Sequence, residues 1–432
     1  MQPKSIGTPP RWRAPLRARS LAVALMLACA TAHAQNASFT LEAALQYATD
    51  RSAAMQAAQA SERASSEVAV KAGQLPDPTL KAGVDNLPVT GPQKYTIGQD
   101  FMTMRRIGIE QEWVSGEKRR LRSTLANQMT GREHDGYLLQ LANVRQQTAG
   151  AWLNAIYAKK AVSLQQELLD HMNHELAATK ASYRGAKATA ADVVQAQAML
   201  AQTQDQVLKA GQTYKTALIT LSRWTATPVS DVTGEPPAPE SFVSSLPPEE
   251  LKQVQPALIA ASDDIAVADA DTAVANSERS PNWTWEVAYQ QRGGAYSNMV
   301  SVGVSIPLPI NRKNRQNRDA AEKAELATKT RLLYEDTQRQ VEADIQAQSA
   351  TLASGRERIA NLGQSLLPVA DQRVQLANAA YRSGTGSLAD TFAARRAQLD
   401  AQLQVLGLKR DVSQTWAQLE YQVVPSTMAA AQ

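Results

Sequence analysis

Two stretches about 200 residues apart decide how this chain is organised. Residues 183–197 read YRGAKATAADVVQAQ, and residues 381–395 read YRSGTGSLADTFAAR. Both open with Tyr-Arg, pass through small residues, and reach an Ala-Asp pair at the same distance. Small and turn-forming residues between two helical patterns predict a tight connection between two helices. The sequence therefore predicts the same helical hairpin twice.

Two further matches extend this repeat toward the start of each half. Residues 107–120, IGIEQEWVSGEKRR, align with residues 302–315, VGVSIPLPINRKNR. Residues 74–78, QLPDP, align with residues 278–282, ERSPN. Because all the matches occur in the same order, they indicate one duplicated unit rather than scattered coincidences.

The segments around these matches have helical patterns of unusual length. In each half, the pattern predicts a first helix, then two strands and a long helix. The first helix is expected over 41–74 in the first half and over 248–278 in the second. No proline interrupts 116–183, and Pro368 is the one proline in 312–381. A helix of that length spans ~100 Å at 1.5 Å per residue, whereas an average globular helix has ~11 residues. We therefore expect an elongated assembly.

Apolar residues on the long helices recur at steps of three and four, which places them on one face of each helix. The stripes consist of Leu164, Leu168, Met172 and Leu176, and of Leu388, Phe392, Leu399, Leu403 and Leu406. Stripes this narrow predict thin helix–helix interfaces rather than a thick core. An ordinary helical bundle or coiled coil would show the same pattern, so the helices alone leave the architecture open.

Two hairpins of alternating residues indicate the environment. In 281–308, and more weakly in 78–114, apolar residues alternate with polar or small ones. In an exported protein this alternation is typical of transmembrane β-strands. The residues expected to face the membrane are Trp113, Trp283, Trp285, Tyr289, Val302 and Val304. The alternative is a water-soluble hairpin packed on helices.

Four strands cannot close a membrane barrel, because the smallest such barrels have about 8 strands. If the hairpins cross a membrane, several chains must therefore contribute strands to one barrel.

Residues 1–34 have the three-part pattern of a secretory signal peptide. Basic residues without any acidic residue precede an apolar run, LAVALMLACATA, which starts at Leu21 and ends in an A-x-A site at 32–34. The run is shorter than the ~20 residues that a membrane-spanning helix requires. We expect cleavage after Ala34, and the alternative is lipidation of Cys29.

Composition narrows the class of protein further. The chain has 432 residues, 44% of them hydrophobic, which excludes a disordered chain. Its one cysteine excludes an intramolecular disulfide framework and a cysteine-based zinc cluster. The formal charge of +4 includes five basic residues in 1–34, so the remaining chain has a charge of −1. Basic clusters at 118–122 and 312–318 follow the strands and suit a membrane boundary better than nucleic acid.

Few residues are candidates for chemistry. His171 and His174 are spaced i, i+3 and could present two metal ligands, but a solvated helix face explains them better. Met102 and Met104 could offer thioethers to a soft metal, yet they fall in a loop before a strand. There is no phosphate-cradling glycine loop and no nucleophile–base arrangement. We therefore expect no cofactor, no resident metal and no enzymatic activity.

Taken together, these features resemble the TolC-like family of outer membrane efflux factors. Residues 39–45, FTLEAAL, are similar to the family's N-terminal T-L-E-E-A-L signature. The two tip motifs resemble its Y-x-x-G-x-x-x-x-x-D turn. Residues 73–88, GQLPDPTLKAGVDNLP, are similar to the heavy-metal efflux branch of the tripartite systems that contain an RND-type pump.

The resemblance implies a mainly α fold with a small β part, internally duplicated. Three identical chains, each giving four strands, would form an outer-membrane β-barrel continuous with a long periplasmic α-helical barrel. After a signal peptide at 1–34, residues 35–432 would form two repeats, at about 35–225 and 247–423. The strands would occupy about 78–114 and 281–308. The tunnel would comprise about 41–75, 115–225, 248–279 and 310–423, with an equatorial segment at about 226–247 and the C-terminal tail.

The implied function is that of a passive trimeric duct in the outer membrane of a Gram-negative bacterium. It would export heavy-metal cations from the periplasm or a pump to the exterior. Its partners would be a periplasmic adaptor (membrane fusion) protein, an inner-membrane RND-type pump and outer membrane lipid, with no nucleic acid. One alternative is a periplasmic coiled-coil scaffold without a membrane barrel. An alternative cargo is drugs or other small organic molecules.

The resemblance also assigns a periplasmic gate. Asp390 matches an aspartate that rings the entrance, where converging carboxylates would attract cations. Tyr381 and Asp192 match a pair that hydrogen-bonds between neighbouring helix pairs. Gly386 replaces an arginine that supports this latch in the family, and Arg184 or Arg382 could substitute for it. Helix N-capping is the alternative role for both aspartates.

The turns between the helices are expected to contact the adaptor. These residues are Gly185, Ala186 and Lys187 in the first tip, and Ser383, Gly384 and Thr385 in the second.

Overall fold

The computed structural model describes residues 38–424, so the expected signal peptide and Cys29 lie outside the described residues. The first half runs β1 (Ser38–Phe39), α1 (Leu41–Arg51), α2 (Ala53–Ala72), β2 (Thr79–Asp85), β3 (Met104–Trp113), α3 (Gly116–Arg184) and α4 (Ala190–Thr225). The second half runs β4 (Asp231–Val232), α5 (Pro248–Val254), α6 (Pro256–Ser277), β5 (Trp283–Gln291), β6 (Met299–Ser305), α7 (Gln316–Gln364), α8 (Leu366–Arg382) and α9 (Leu388–Glu420). This order confirms the mainly helical, duplicated fold with a small β part.

The first helix of each half is interrupted, where one continuous helix was expected. Ser52 leaves helical geometry between α1 and α2, and its side chain accepts a hydrogen bond from the Met55 amide as the cap of α2. In the second half, Gln255 is extended and Pro256 starts α6. A proline lacks the amide hydrogen that a helix interior needs, but it fits the first helical turn.

The long helix of the second half is also divided. Helix α3 is a single helix of 69 residues, about 100 Å long. Its counterpart breaks at Ser365 into α7 and α8. Pro368 lies in the first turn of α8. Because proline lacks the amide hydrogen that a helix interior needs, the predicted continuous helix is divided just before it.

A four-stranded antiparallel sheet has the order β2-β3-β5-β6. The two hairpins join through β3 and β5, where Gly108 pairs with Ala288 and Trp113 with Trp283. Gly108 is close-packed, since a Cβ atom there would lie 2.8 Å from the Ala288 Cβ. A second, two-stranded sheet pairs β1 with β4 in parallel.

The six residues expected to face the membrane lie on the same face of this sheet, as their register shows. Val302 and Val304 are 74% and 61% exposed in the single chain. The two tryptophans at the base of β3 and β5 contact each other, with ring centroids 5.8 Å apart. Arg105 and Gln111 share this face, and the other face carries Lys81, Arg106, Glu110 and Glu286, so the sheet is mainly apolar on one side and polar on the other.

The largest core cluster lies where the short sheet and the segment after α4 meet the middle of the long helices. Trp152 on α3 is buried, and its indole Nε1 donates to the Phe39 carbonyl at 2.9 Å. Lys159, about two helical turns further along α3, donates to the Asp231 carboxylate at 2.6 Å, and the Tyr214 hydroxyl donates to the same carboxylate. These contacts fix β1 and β4 against α3 and α4.

A buried carboxyl lies between the two halves. Asp135 on α3 is fully buried and faces Asp263 and Asp264 on α6. Burial, followed by the charge of Asp263 and a hydrogen bond with its side chain, raises the Asp135 pKa to about 7. The folded protein therefore binds a proton that the unfolded chain releases near pH 4. Its stabilising effect is complete below about pH 4 and is lost as the pH rises to about 7.

Replacing Asp135 by Asn should remove this pH dependence, because an amide keeps a hydrogen-bonding neutral group without a proton to lose. At pH 8 we expect the Asp135→Asn protein to be more stable than the parent by about 2 kcal/mol. At pH 4 the difference should be small. Thermal unfolding in detergent between pH 4 and pH 8 measures it. Asp170→Asn, an exposed change on the same helix, is the control, and parallel parent and Asp135→Asn curves would contradict the assignment.

Candidate functional site

Two helical hairpins end in tips of the same geometry. In the first, the amides of Gly185, Ala186 and Lys187 donate to Ala181, Tyr183 and Ser182 carbonyls. In the second, the amides of the corresponding residues Ser383, Gly384 and Thr385 donate to Ala379, Tyr381 and Ala380. The shared hydrogen bonds show that the repeated sequence motif encodes one turn structure.

One position in each tip requires a left-handed backbone. Gly384 has φ of +75° and Ala186 has φ of +59°. Glycine adopts this conformation without steric cost, whereas alanine does so at a cost. Ala186 therefore keeps the turn of its glycine counterpart under local strain.

Both tip aspartates cap the helix that follows. Asp192 accepts hydrogen bonds from the Thr189 amide and hydroxyl, each at 2.8 Å, and its own amide donates to the Thr189 hydroxyl. Asp390 makes the same reciprocal contacts with Ser387. Each pair forms a capping box, which satisfies amide groups in the first turn of the helix. The capping role considered as an alternative is thus present in the single chain.

These hydrogen bonds favour the ionised carboxylates. The Thr189 amide and hydroxyl hold the Asp192 pKa below its usual value. The Ser387 hydroxyl and amide lower the Asp390 pKa in the same way. Asp390 is exposed to solvent, so capping leaves a charged group at the end of the hairpin that can also act on ions.

Tyr381 stands near Asp192 without bonding to it. Burial raises the Tyr381 pKa, and the charges of Glu175 and Asp192 contribute. In the described part of the chain, no hydrogen bond joins the Tyr381 hydroxyl to Asp192. The latch between neighbouring helix pairs therefore stays a prediction for an assembled protein.

The position of the missing latch arginine is sterically closed. A Cβ atom on Gly386 would lie 2.9 Å from the Ala380 Cβ, so the turn has no room for a side chain there. Arg184 and Arg382 are exposed, and neither forms an ion pair within residues 38–424.

The predicted apolar stripes meet beneath the tips. Leu168 and Met172 of α3 form a buried cluster with Leu388, Phe392 and Leu399 of α9. Leu406 instead packs at the edge of the larger central core. The two tips are therefore held side by side by one narrow apolar contact, with no buried charge between them in this cluster.

The metal-binding candidates lie apart from the tips. His171 and His174 are exposed on α3, Met102 is 48% exposed in the loop, and Met104 begins β3. Among residues 38–424 there is no group of three or more His, Cys, Asp or Glu side chains placed to hold a metal ion.

The sequence interpretation missed a charged network on the polar face of the sheet. Lys81 pairs with Glu110 and, at 3.5 Å, with Glu286. Arg106 contacts Glu286 at 2.5 Å and Asp85 at 3.7 Å. In sequence, these charged residues occupy alternate strand positions that they share with small residues such as Gly83, Gly108 and Ala288. Only the strand register shows that the charged residues lie together. Within residues 38–424, no helix is long and apolar enough to span a membrane.

The site thus consists of long paired helical hairpins with capped tips, joined to a four-stranded sheet with one apolar face. Residues 248–421 match the family described as outer membrane efflux protein. The channel OprN has the same fold, with a TM-score of 0.73 at 17% identity over 88% of this chain and 89% of that one. CusC aligns with a TM-score of 0.72 at 15% identity over 90% and 94%.

A curated relative is similar over part of its length. The cobalt-zinc-cadmium resistance protein CzcC of Cupriavidus metallidurans is 26% identical over 172 residues, which span 40% of this chain and 39% of CzcC. The family match covers less than half of the chain, so these comparisons show the fold of the solved channels together with sequence similarity to outer membrane efflux proteins.

Ala186→Gly should strengthen the first tip, because glycine adopts the left-handed conformation without strain. We expect a local gain of about 1 kcal/mol, or roughly fivefold slower hydrogen exchange at the Lys187 amide. Mass-spectrometric exchange on the full-length protein in detergent measures this. Ala188→Gly is the matched control and should give no gain, since Ala188 does not have positive φ. Equal exchange in the parent and Ala186→Gly proteins would contradict the strain.

Proposed function

We propose that this protein is the passive outer membrane duct of a tripartite efflux system. Three copies would share one β-barrel and one periplasmic tunnel, and an inner-membrane pump with its adaptor would supply the energy. The observation that carries this proposal is the four-stranded sheet with an apolar outer face and two open edges. Nothing in the tips or on the polar face forms a catalytic arrangement, so the duct is proposed to do no chemistry.

Heavy-metal cations are the proposed cargo. Support comes from the similarity to CzcC, a cobalt-zinc-cadmium resistance protein, and from the sequence of residues 73–88. Organic compounds are the alternative cargo. A strain that lacks the protein distinguishes the two, because loss of metal export should sensitise it to Zn²⁺, Co²⁺ or Cd²⁺ and not to drugs.

The duct itself can be tested directly. Extraction from outer membranes should require detergent, and light scattering corrected for detergent should give the mass of a trimer. The purified protein should produce discrete conductance steps in planar lipid bilayers. A monomer released in aqueous buffer without detergent would instead favour the periplasmic scaffold.

The tips are proposed to contact the adaptor and to gate the periplasmic end. Ser383, Gly384 and Thr385, with Gly185, Ala186 and Lys187, form the exposed ends of the hairpins. Asp390 is the proposed ring residue, because its carboxylate is ionised and exposed just behind the second tip. Asp192 and Tyr381 are proposed to latch neighbouring hairpins in the closed state.

Asp390→Asn should weaken block of the single-channel current by divalent cations. An amide retains a capping oxygen, but it removes the charge that attracts the cation. We expect the blocking concentration of Zn²⁺ applied from the periplasmic side to rise about tenfold. Asp371→Asn on α8 is a control of equal charge change outside the tip. Unchanged block in the Asp390→Asn channel would leave this residue as a helix cap alone.

A further inference from the structure

A buried lysine joins the two halves of the chain at the base of the sheet. Lys118, in the first turn of α3, is only 4% exposed. Its Nζ donates to the Glu278 carboxylate at 2.9 Å, to the Ser280 carbonyl and to the Asn282 side-chain oxygen at 2.8 Å. Buried charges are stable in proteins only when they are paired and hydrogen-bonded. This junction therefore fastens the start of α3 to the segment that leads into β5.

The strand register shows which residues occupy the same place in the other repeat. Gly108 pairs with Lys81 across β2 and β3, and Gly303 pairs with Glu286 across β5 and β6. The sequence match aligns Gly108 with Gly303, so their strand partners, Lys81 and Glu286, occupy equivalent positions in the two repeats. Four residues earlier on each chain segment, Asp77 is then equivalent to Asn282. The strand register therefore corrects the sequence alignment of residues 74–78 with residues 278–282 by one residue, so that Asp77 matches Asn282 instead of Pro281.

The second copy of the lysine junction is open. Lys313 is the sequence equivalent of Lys118, but it is exposed and lies in a 3₁₀ turn, Arg312–Asn314, ahead of α7. Leu308 and Ile310 beside it are 78% and 95% exposed. Among the described residues, no ion pair or side-chain hydrogen bond engages Lys313. The junction at Lys118 is therefore buried and fully bonded, whereas the equivalent lysine, Lys313, is exposed and lacks such partners within the described residues.

The matching half of the open junction lies at the other edge of the sheet. Asp77 is also exposed, and its side chain likewise bonds to nothing within residues 38–424. It stands just before β2, which is one edge strand, whereas Lys313 follows β6, which is the other edge strand. A chain cannot bring its own edges together with four strands, because that number is too small to close a barrel.

We propose that a second copy of this chain completes the junction, with Lys313 of one subunit bonded to Asp77 of the next. The inference rests on the proposed oligomeric duct and adds its residue contacts. Lys118 pairs with the carboxylate of Glu278. Lys313 would pair with the carboxylate of Asp77, which occupies the position equivalent to Asn282. The carbonyl of Leu75 in the neighbouring subunit takes the place of the Ser280 carbonyl. Each lysine thus pairs with one carboxylate, but the two carboxylates, Glu278 and Asp77, do not occupy equivalent positions in the repeat.

The same equivalence gives the register of the strands that meet between subunits. In β3 and β5, Gly108 faces Ala288. Transferred to β6 and the β2 strand of the next subunit, this pairing sets Gly303 opposite Gly83 and Val302 opposite Val84. Both valines lie on the apolar face, so the inferred pairing is consistent with the alternation of both strands.

Paired cysteines test this register in the full-length protein. Residues directly opposite on antiparallel strands have Cα atoms 4.5–5.5 Å apart, within disulfide range, whereas diagonal neighbours are about 7–8 Å apart. Val84→Cys with Val302→Cys should yield at least about fivefold more covalent oligomer on non-reducing gels than Val84→Cys with Val304→Cys. The parent protein should yield none, because its one cysteine, Cys29, lies within the signal peptide that is expected to be removed.

A charge exchange tests the lysine junction. Lys313→Glu should lower the temperature at which the oligomer dissociates in detergent by roughly 5 °C. Asp77→Lys should act similarly, and the double variant should restore the parent value. Arg315→Glu is the matched control, because its equivalent, Arg120, pairs only with Glu117 on its own helix. Recovery in the double variant supports a direct contact, and no recovery overturns it.

The outcomes separate the junction from the duct. A stable trimer in which the shifted cysteine pair cross-links best would overturn the register and leave the proposed function intact. A protein that forms no oligomer in any variant would overturn both. Cross-linking at Val84 and Val302 with recovery in the double variant supports the full inference.

Discussion

The backbone of the four-stranded sheet sets the main constraint on this protein. Strands β2 and β6 each have one neighbour, so each carries a row of backbone groups that the single chain leaves unpaired. In lipid, each unsatisfied group costs several kcal/mol, and only closed barrels avoid the cost. In the proposed outer membrane location, the sheet would therefore have to close with other chains. Because each strand of this sheet is joined to a helix at one end, closing the sheet would also bring the helices into a ring.

The distribution of buried residues follows from this architecture. The largest cluster lies at the middle of the long helices, where Trp152 and Lys159 hold β1 and β4. The cluster below the tips is small, and the tips themselves are shaped by local hydrogen bonds and capping boxes. Local contacts survive when one hairpin shifts against its neighbours. The molecule thus combines a fixed middle with ends that can be displaced at little cost in buried area.

Much of the fold could be predicted, because its signals are local and repeated. The tip motifs around Asp192 and Asp390, the strand alternation and the proline-free length of α3 each reflect one dominant physical preference. The helix break at Ser52 was not predictable in the same way, because a serine tolerates both helix and cap positions. The buried Asp135 was hidden as well, since only the packing of α3 on α6 removes it from water. Residues paired across the sheet, such as Lys81 and Glu286, needed the register.

The charges on the polar face bear on where a charge filter would act. Lys81 and Arg106 are ion-paired with Glu110, Glu286 and Asp85. The repeat also places opposite charges at equivalent positions, Lys81 in one half and Glu286 in the other, so copies arranged around a ring alternate in sign. Fields from paired and alternating charges cancel over short distances. Asp390 has no cationic partner among the described residues. Each chain of an assembly would contribute one such carboxylate, so these charges would have the same sign. In the proposed duct, we therefore expect selection by charge to lie at the hairpin tips rather than at the sheet.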